Sequence, residues 1–292
     1  MDVKSMRSAD SYDASPLGFW SPSTADMDFC EPNYAHSHYV AEFWNTLTSF
    51  AVAYIGAAGM LLCRWQRLGS EQMLCYSCLG VVGVGSVAFH ATLLRTGQVL
   101  DEVPMLWAVT ALVYGVAHHR ADREQRQRKL RGQPPTEATT LSLGALRGAL
   151  IAYSATATVL YFASGFVVFV VLYTLSVIAL VCLAFRAVHR AESPTGASGA
   201  SPRRLLACAA LAYGGGALFL WIPGELLCHR YPLVQRLPLH ALFHLSSAAG
   251  PHLGLTAFAL ARFEDERPSA LSSLLFAGMP AIDRGAAIHK QV

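Results

Sequence analysis

The clearest fold signal in the sequence is the stretch GFVVFVVLYTLSVIALVCLAF, which runs from Gly165 to Phe185 and contains no charged residue. A helix of about 20 apolar residues crosses the roughly 30 Å hydrocarbon core of a bilayer. Six further stretches have a similar length and character. The seven predicted spans are about Val40–Cys63, Gln72–Thr92, Val99–Ala117, Leu141–Ala163, Gly165–Phe185, Leu205–Ile222 and Leu239–Phe263. The pattern predicts an all-α membrane protein, built as a seven-transmembrane helical bundle with a turn at Ser164-Gly165.

The composition of the 292-residue chain agrees with this class. Hydrophobic residues make up 53% of the chain and charged residues 14%, whereas soluble domains carry about 25% charged residues. These values exclude a disordered chain, a coiled coil and an ordinary soluble enzyme. The net charge of +3 is too weak to indicate a nucleic-acid-binding protein. No obligate protein partner is evident, and membrane lipids are the expected surroundings.

Basic residues concentrate in alternate connections between the predicted spans. The connections after spans one, three and five, and the segment after span seven, carry Arg64, Arg67, Arg120, Arg123, Arg126, Arg128, Lys129, Arg131, Arg186, Arg190, Arg203, Arg204, Arg262, Arg267, Arg284 and Lys290. The other connections hold Arg95, Arg230 and Arg236. The positive-inside rule therefore predicts a lumenal or extracellular N-terminus and a cytosolic C-terminus.

This topology divides the chain into three parts. Residues 1–39 form a lumenal N-terminal tail, residues 40–263 the bundle and residues 264–292 a cytosolic tail. The segments Gly132–Pro135 and Ser193–Pro202 are rich in glycine, proline or serine, so they are predicted to be flexible loops. The C-terminal tail is predicted to be loosely ordered.

Four ionisable residues fall at the same membrane edge in the predicted topology. His90 ends span two, Asp101 opens span three, and His240 and His244 open span seven. Ionisable residues are costly in lipid and usually have a function there. His240 and His244 lie one helical turn apart and project from one face. Three histidines with a fourth position left for water are typical of catalytic zinc, so the shared depth favours a metal site.

Each of these residues alone has a simpler explanation. A lone His-x-x-x-His pair is weak evidence, and a single histidine in a span often serves as a structural hydrogen-bonding group. Asp101-Glu102 is also compatible with a solvated helix start. Ser86, one turn before His90, and the neighbouring Gly80, Gly83 and Gly85 favour tight helix packing.

A second polar group lies in the N-terminal tail. Asp28, Glu31 and Asn33 are closely spaced, and Glu42 follows at the start of span one. Carboxylate and amide oxygens suit a hard cation such as calcium. An acidic surface segment is the commoner explanation of such spacing, so the sequence leaves both interpretations open.

The cysteines are divided between the cytosolic and lumenal sides of the membrane in the predicted topology. Five of the seven lie in the cytosolic half of the spans, namely Cys63, Cys75, Cys78, Cys182 and Cys208. Cys30 and Cys228 alone belong to the lumenal side, where oxidation is permitted. We expect these two to form a disulfide that joins the tail to the connection between spans six and seven.

The assembled residues resemble the alkaline ceramidase family. Five motifs match in order: Asp-Phe-Cys-Glu-Pro-Asn-Tyr at 28–34, Ala-Glu-Phe-Trp-Asn at 41–45, Gly-Ser-Val-Ala-Phe-His at 85–90, Leu-Asp-Glu-Val-Pro at 100–104, and His-Ala-Leu-Phe-His at 240–244. The resemblance extends from about Gly18 to Phe263. It implies an amidase in the endoplasmic reticulum or Golgi membrane that hydrolyses ceramide to sphingosine and a fatty acid.

The resemblance also implies roles for individual residues. His90, His240 and His244 would hold zinc. Asp101 would orient or deprotonate the attacking water, and Ser86 would help to stabilise the oxyanion. The residues that would bind a regulatory or structural calcium ion are Asp28, Glu31, Asn33 and Glu42 through their side chains and Phe29 through its carbonyl.

Three positions depart from the family pattern. Phe29 stands where tryptophan is usual, and Ala-Leu-Phe fills the gap between His240 and His244 where tryptophan is common. The aspartate that often follows the span-six tryptophan is absent after Trp221, and Glu225 comes next. The role of an acid at that place is therefore open.

Two other classes of protein share part of this pattern. Receptors of the adiponectin and progestin receptor type resemble the chain in a seven-span zinc site, but they have the reverse orientation and lack the acidic segment. A transporter would bind ions in the polar cluster without catalysing a reaction. Transporters more often show broken helices and repeat symmetry, which the sequence does not indicate.

Overall fold

The computed structural model describes residues 17–189, 201–228 and 230–266, and the backbone of two short strands further on. The described part of the chain is mainly helical. Its helices are α1 Phe43–Gln66, α2 Ser70–Thr92, α3 Arg95–Leu130, α4 Glu137–Ser164, α5 Phe166–His189, α6 Pro202–Leu227, α7 Pro232–Gln235 and α8 Leu239–Glu266. The helical fold class predicted from the sequence is thus present.

Helices α1 to α6 are long and apolar enough to cross a membrane, and the chain is accordingly a multi-pass membrane protein. Helix α8 has 28 residues, which is also sufficient length. It is less apolar because His240, His244, His252 and Pro251 interrupt its hydrophobic residues. Six candidate spans therefore stand among the described residues, and a seventh span through α8 remains a proposal.

The largest difference from the predicted boundaries is in α3. The sequence predicts that span three ends near Ala117 and that a basic loop follows, but the helix continues to Leu130. Arginine, lysine and glutamine are good helix formers. Asp122 and Arg126 also form an ion pair one turn apart, at 3.1 Å. The basic segment is therefore a helical extension.

The predicted turn between spans four and five is present. Helix α4 ends at Ser164 and α5 begins at Phe166. Gly165 between them has a φ of +73°, a conformation that a side chain would strain. A single glycine thus reverses the chain direction.

Glycines allow α1, α2 and α3 to pack closely. A Cβ atom at Gly83 would clash with the backbone of Ala53 in α1, and one at Gly85 would clash with the carbonyl of Leu100 in α3. This is the tight packing that the sequence predicts for these two positions. A Cβ atom at Gly80 would have no neighbour closer than 3.9 Å, so that position does not require glycine.

The segment before α1 packs on the end of α2. Glu42 donates its backbone N–H to the carbonyl of His90 at 2.9 Å, and Ala41 donates to that of Ala91 at 2.9 Å. Phe29 is buried in a hydrophobic cluster with Phe89 and other residues. The predicted tail is therefore well structured from residue 17 to α1. Residues 1–16 lie outside the described part.

The C-terminal segment contains a β-hairpin. Strands β1 Ser272–Phe276 and β2 Met279–Asp283 pair antiparallel, with Ser272 opposite Asp283. The expectation that the whole tail is loosely ordered is wrong for these two strands. The predicted loop Ser193–Pro202 lies outside the described residues up to position 200.

Candidate metal centre and active site

Three imidazole rings meet at one end of the bundle. His90 comes from the last turn of α2, and His240 and His244 come from the first turns of α8. One ring nitrogen of each lies within 4.8 Å of the others. Within the described ranges this is the only group of three or more His, Cys, Asp or Glu residues so arranged. The structure therefore brings together the three histidines that the sequence singles out.

The protonation of His90 follows from its contact with Glu42. Nδ1 of His90 lies 2.5 Å from Oε2 of Glu42, and both side chains are fully buried. Because a carboxylate accepts hydrogen bonds, Nδ1 carries the hydrogen. Nε2 of His90 is then unprotonated and carries a free lone pair, and it has no hydrogen-bond partner in the protein.

His244 is held in the same tautomer. Its Nδ1 lies 3.0 Å from the hydroxyl of Thr48 and 3.3 Å from that of Ser49. Thr48 donates its own hydrogen to the carbonyl of Trp44, and Ser49 donates to that of Asn45. Both hydroxyl oxygens therefore accept from Nδ1 of His244, so Nε2 is unprotonated.

His240 is held by packing. Its ring lies against the ring of Phe29, with the centroids 3.7 Å apart. Nδ1 of His240 is buried without a hydrogen-bond partner and lies 3.8 Å from a carboxylate oxygen of Glu225. Glu225, whose role the sequence leaves open, is thus a neighbour of the triad.

These features fit a bound metal ion. A buried polar atom without a hydrogen-bond partner is rare and needs an explanation. His90 and His240 each have such an atom. Neutral imidazoles whose other nitrogen donates to a carboxylate or hydroxyl are the usual form of histidine ligands. Three histidine nitrogens with a fourth position open suit a catalytic metal.

Ser86 and Asp101 lie beside the triad. The Ser86 side chain lies beside the Asp101 carboxyl, and its hydroxyl lies 3.0 Å from that of Ser49. Ser49 also contacts His244, so one chain of contacts runs from Asp101 to the triad. The close approach of α2 and α3 at Gly85 makes this contact possible. The two residues predicted to act on water and on the oxyanion are therefore adjacent.

The acidic residues of the tail lie next to this site. Asn33 donates from Nδ2 to both carboxylate oxygens of Asp28, at 3.1 and 3.0 Å. Oδ1 of Asn33 is buried and has no hydrogen-bond partner. Oε1 of Glu42 accepts the backbone N–H of Phe29 at 2.9 Å. The structure therefore brings Asp28, Phe29, Asn33 and Glu42 into one neighbourhood.

Glu31 has a different position in this group. Its two oxygens accept the backbone N–H groups of Trp44 and Asn45, at 2.7 and 2.9 Å. It thus satisfies N–H groups in the first turn of α1, which have no partner within the helix. Burial raises the pKa of the Glu31 carboxyl above its usual value, and the two backbone hydrogen bonds oppose that effect. Each oxygen keeps a lone pair for a cation.

Cys30 and Cys228 form a disulfide bond, with their Cα atoms 6.1 Å apart. This is the pairing that the sequence predicts. It connects the acidic segment to the end of α6, across a sequence separation of 198. The tail is therefore fixed covalently over the triad.

A cavity of about 810 Å³ begins at the triad and runs along the bundle. Ser86, Asp101, His240 and His244 line one end, and its far end reaches His118. The residues between them are mainly apolar, among them Leu79, Val109, Leu112, Phe169, Val177 and Leu255. The shape and lining suit a long lipid chain whose polar group lies at the triad.

Sequence reasoning missed the polar face of α1. Asn45 and Ser49 are buried there, and Asn45 donates to Glu42 at 3.0 Å. Glu42, Asn45 and Ser49 recur at intervals of three and four, which places them on one helix face. That spacing is the signal that could have identified these supporting residues.

The chain is similar to several known proteins. A family model described as ceramidase matches residues 21–282. The mouse protein named alkaline ceramidase 3 is 39% identical over 97 residues, which are 33% of this chain and 36% of the mouse protein. The Arabidopsis thaliana protein named alkaline ceramidase is 33% identical over 96 residues, with 33% and 38% covered.

A longer match is found with a human protein. The protein named alkaline ceramidase 1 is 25% identical over 252 residues, which are 84% of this chain and 86% of the human protein. In the mouse and Arabidopsis matches, by contrast, the chain spans little more than a third of the relative's length.

Proposed function

The chain belongs to the ceramidase family, and from this premise we propose that it is a zinc-dependent intramembrane amidase. Its substrate is ceramide, and its products are sphingosine and a free fatty acid. The observation that carries the proposal is the position of the histidine triad and the Ser86–Asp101 pair at one end of a long apolar cavity. A lipid amide enters such a site with its chain in the cavity and its carbonyl at the triad.

His90, His240 and His244 would hold the zinc ion. When bound, zinc polarises the amide carbonyl and makes water acidic enough to act as a nucleophile near neutral pH. The protein fixes the ligands beforehand, since Glu42, Thr48 and Ser49 hold His90 and His244 in the tautomer that exposes Nε2. Little reorganisation is then needed on metal binding.

Asp101 and Ser86 perform the remaining chemistry. Asp101 is a carboxylate that takes the proton of the attacking water and returns it to the leaving nitrogen. Ser86 donates a hydrogen bond to the developing oxyanion. The single hydrogen of Ser86 would turn to the oxyanion from its neighbours in the free site, the Asp101 carboxyl and the Ser49 hydroxyl.

The proposal includes a topology. Helix α8 is the seventh span, so the triad faces the lumenal or extracellular side and the basic extension of α3 faces the cytosol. Residues 1–39, 40–263 and 264–292 are then the lumenal tail, the catalytic bundle and the cytosolic tail. The disulfide between Cys30 and Cys228 is consistent with the lumenal side. The endoplasmic reticulum or Golgi is the proposed membrane.

A calcium site in the tail is a second part of the proposal. Asp28, Glu31, Asn33 and Glu42 would contribute side-chain oxygens and Phe29 its carbonyl oxygen. The unpartnered Oδ1 of Asn33 beside a carboxylate supports this assignment. Since Glu42 also contacts His90, calcium would affect the geometry of the triad.

The test of the proposed function is sphingosine release by the purified chain, measured by mass spectrometry on a panel of ceramides. Asp101→Asn is expected to lose release while it keeps zinc bound. Glu124→Gln, an exposed position on the extension of α3, is the control and is expected to behave as wild type. Full turnover by Asp101→Asn would contradict the role of that residue.

The family match supports this proposal over the receptor and transporter alternatives. A receptor would bind a lipid without turnover. Folded, zinc-loaded wild-type protein that releases no sphingosine from any ceramide would therefore favour the receptor interpretation. Accessibility of tags at both termini would decide between the two orientations.

A further inference from the structure

The cavity that begins at the triad has a second polar group at its opposite end. Glu71 and Gln72 at the start of α2, and His118 and His119 in α3, line that end. Nε2 of His118 lies 3.3 Å from Oε1 of Glu71, and the two side chains are 35% and 21% exposed. Nε2 of Gln72 donates to the carbonyl of Leu255 at 3.3 Å. Water therefore reaches this end of the cavity, and the mechanism above uses none of these residues.

Four helices converge just before the polar end. Helices α3, α5, α6 and α8 each contribute a buried residue to one hydrophobic cluster that also lines the cavity, namely Val116, Ala184, Leu206 and Phe258. A close-packed cluster leaves no room for a further apolar chain. The apolar part of the cavity therefore ends at this cluster, which we call the floor.

Two helices give the same distance between the catalytic end and the floor. Asp101 and Val116 lie 15 positions apart in α3, and His244 and Phe258 lie 14 positions apart in α8. At a rise of about 1.5 Å per residue, both separations correspond to roughly 21–23 Å. The apolar part of the cavity thus has a defined length.

An extended acyl chain of defined size spans this length. A C–C bond of about 1.5 Å advances an extended chain by about 1.3 Å, so a chain whose carbonyl carbon lies at the triad reaches the floor with about 16–18 carbons. The acyl chain of ceramide begins at the reacting carbonyl itself. The sphingoid chain begins further away, beyond the nitrogen and the carbons that carry the hydroxyl groups.

We propose that the cavity holds the acyl chain of the ceramide and that the floor selects chains of about 16–18 carbons. The inference rests on the proposed function, because it specifies which ceramides the site accepts. The residues that line the floor are specificity-determining residues. They act on the far end of the chain and do not touch the reacting amide.

The two sides of the length profile differ for a physical reason. A chain that enters from the bilayer exchanges one apolar environment for another, so a shorter chain loses only some dispersion contacts with the cavity. A longer chain places methylene groups among water-exposed polar side chains, which lowers kcat/KM about tenfold for each two carbons beyond the floor. The expected profile is therefore gradual towards short chains and steep towards long ones.

Two variants that shorten the cavity test the proposal with ceramides of eight to twenty-four acyl carbons. Gly115 lines the cavity near the floor, where an added Cβ would meet the Cys75 sulfur at an ordinary contact distance of 3.5 Å. Ala108 lines it two turns nearer the catalytic end. We expect the preferred chain to shorten to about 13–14 carbons in Gly115→Leu and to about 8–9 carbons in Ala108→Phe. Release of each fatty acid is measured by mass spectrometry.

Val84→Phe is the matched control. It adds a large side chain to α2 at a position that is 65% exposed and outside the cavity lining. Zinc content and the thermal midpoint are measured for every variant. A damaged fold lowers turnover of all chain lengths alike, whereas a shortened cavity makes Ala108→Phe prefer the short ceramides that wild type hydrolyses more slowly. If Ala108→Phe does not fold, the wild-type profile and Gly115→Leu still decide.

Three results would overturn the proposal. The first is a wild-type rate that does not fall between eighteen and twenty-four acyl carbons. The second is the same preferred length in wild type and in both folded variants. The third is a profile that follows the length of the sphingoid chain and not that of the acyl chain.

Binding of free fatty acids of the same lengths separates this inference from the proposed function. It is measured as the rise in the thermal midpoint of zinc-loaded protein and needs no turnover. A binding optimum at the length given above that shortens in Gly115→Leu, without hydrolysis of any ceramide, would support the floor and reject the amidase. Hydrolysis of ceramides with no length preference in either assay would reject the floor alone.

Discussion

Glu42→Gln is expected to weaken zinc binding by about tenfold to a hundredfold, or roughly 1.4–2.7 kcal/mol. Glu42 is fully buried and accepts from three donors, namely the Phe29 N–H at Oε1 and the side chains of Asn45 and His90 at Oε2. Glutamine supplies one oxygen in place of two. Whichever way its amide turns, one N–H group of the glutamine faces another donor.

The effect on His90 follows from this mismatch. When the glutamine NH₂ occupies the position of Oε2, Nδ1 of His90 has to act as an acceptor. Its hydrogen then moves to Nε2, the nitrogen that would bind the metal. When the amide turns the other way, the N–H of Phe29 loses its acceptor and the tail is destabilised. Both outcomes reduce zinc affinity.

The assay is competition between the purified protein and a chelator of known affinity, with bound zinc quantified at equilibrium. Glu124→Gln is the matched control on the exposed part of α3. Because Glu42 is also a proposed calcium ligand, the titration is run with calcium buffered and with calcium removed. A loss under both conditions supports the tautomer argument. Unchanged zinc affinity would refute the tautomer argument. A loss seen only in calcium-loaded protein would indicate that the substitution acts through the calcium site.

Three further predictions concern other parts of the site. Ser86→Ala should lower kcat by about a hundredfold to a thousandfold with zinc content unchanged, as for loss of an oxyanion donor; turnover at the wild-type rate would reject that role. Cys30→Ser should destabilise the protein by about 2–4 kcal/mol, seen as a lower thermal midpoint that Cys228→Ser reproduces and that the double variant does not deepen. Gly85→Val should lower both stability and activity, since its side chain would meet the carbonyl of Leu100; a thermal midpoint equal to that of wild type would contradict the packing described for α2 and α3.

The sequence was a good guide to the spans because apolar length is a direct requirement of the bilayer. The turn at Gly165 could be predicted for a similar reason, since it separates two apolar stretches. The end of α3 could not, because the helix leaves the apolar region and continues as a charged helix to Leu130. Hydrophobicity marks where a membrane ends and not where a helix ends. The C-terminal hairpin was missed because two five-residue strands give a weak signal.

In the candidate site, too, some residues could be predicted from the sequence and others could not. His90, His240, His244 and Asp101 could be selected because ionisable residues in spans are rare and these share one depth. Thr48, Ser49 and Asn45 were missed since hydroxyl and amide side chains are common in spans, and their role depends on which helix faces them. Glu42 was placed with calcium alone, whereas the structure also gives it a direct contact with His90.

The central claim is that zinc held by the triad is required for ceramide hydrolysis. Its most direct test is titration of zinc into metal-stripped protein, with bound zinc and sphingosine release measured in the same samples. We expect release to rise in proportion to bound zinc up to one ion per chain, and we expect His244→Ala neither to retain this zinc nor to release sphingosine. Full release from wild-type protein without bound zinc, or from His244→Ala, would contradict it.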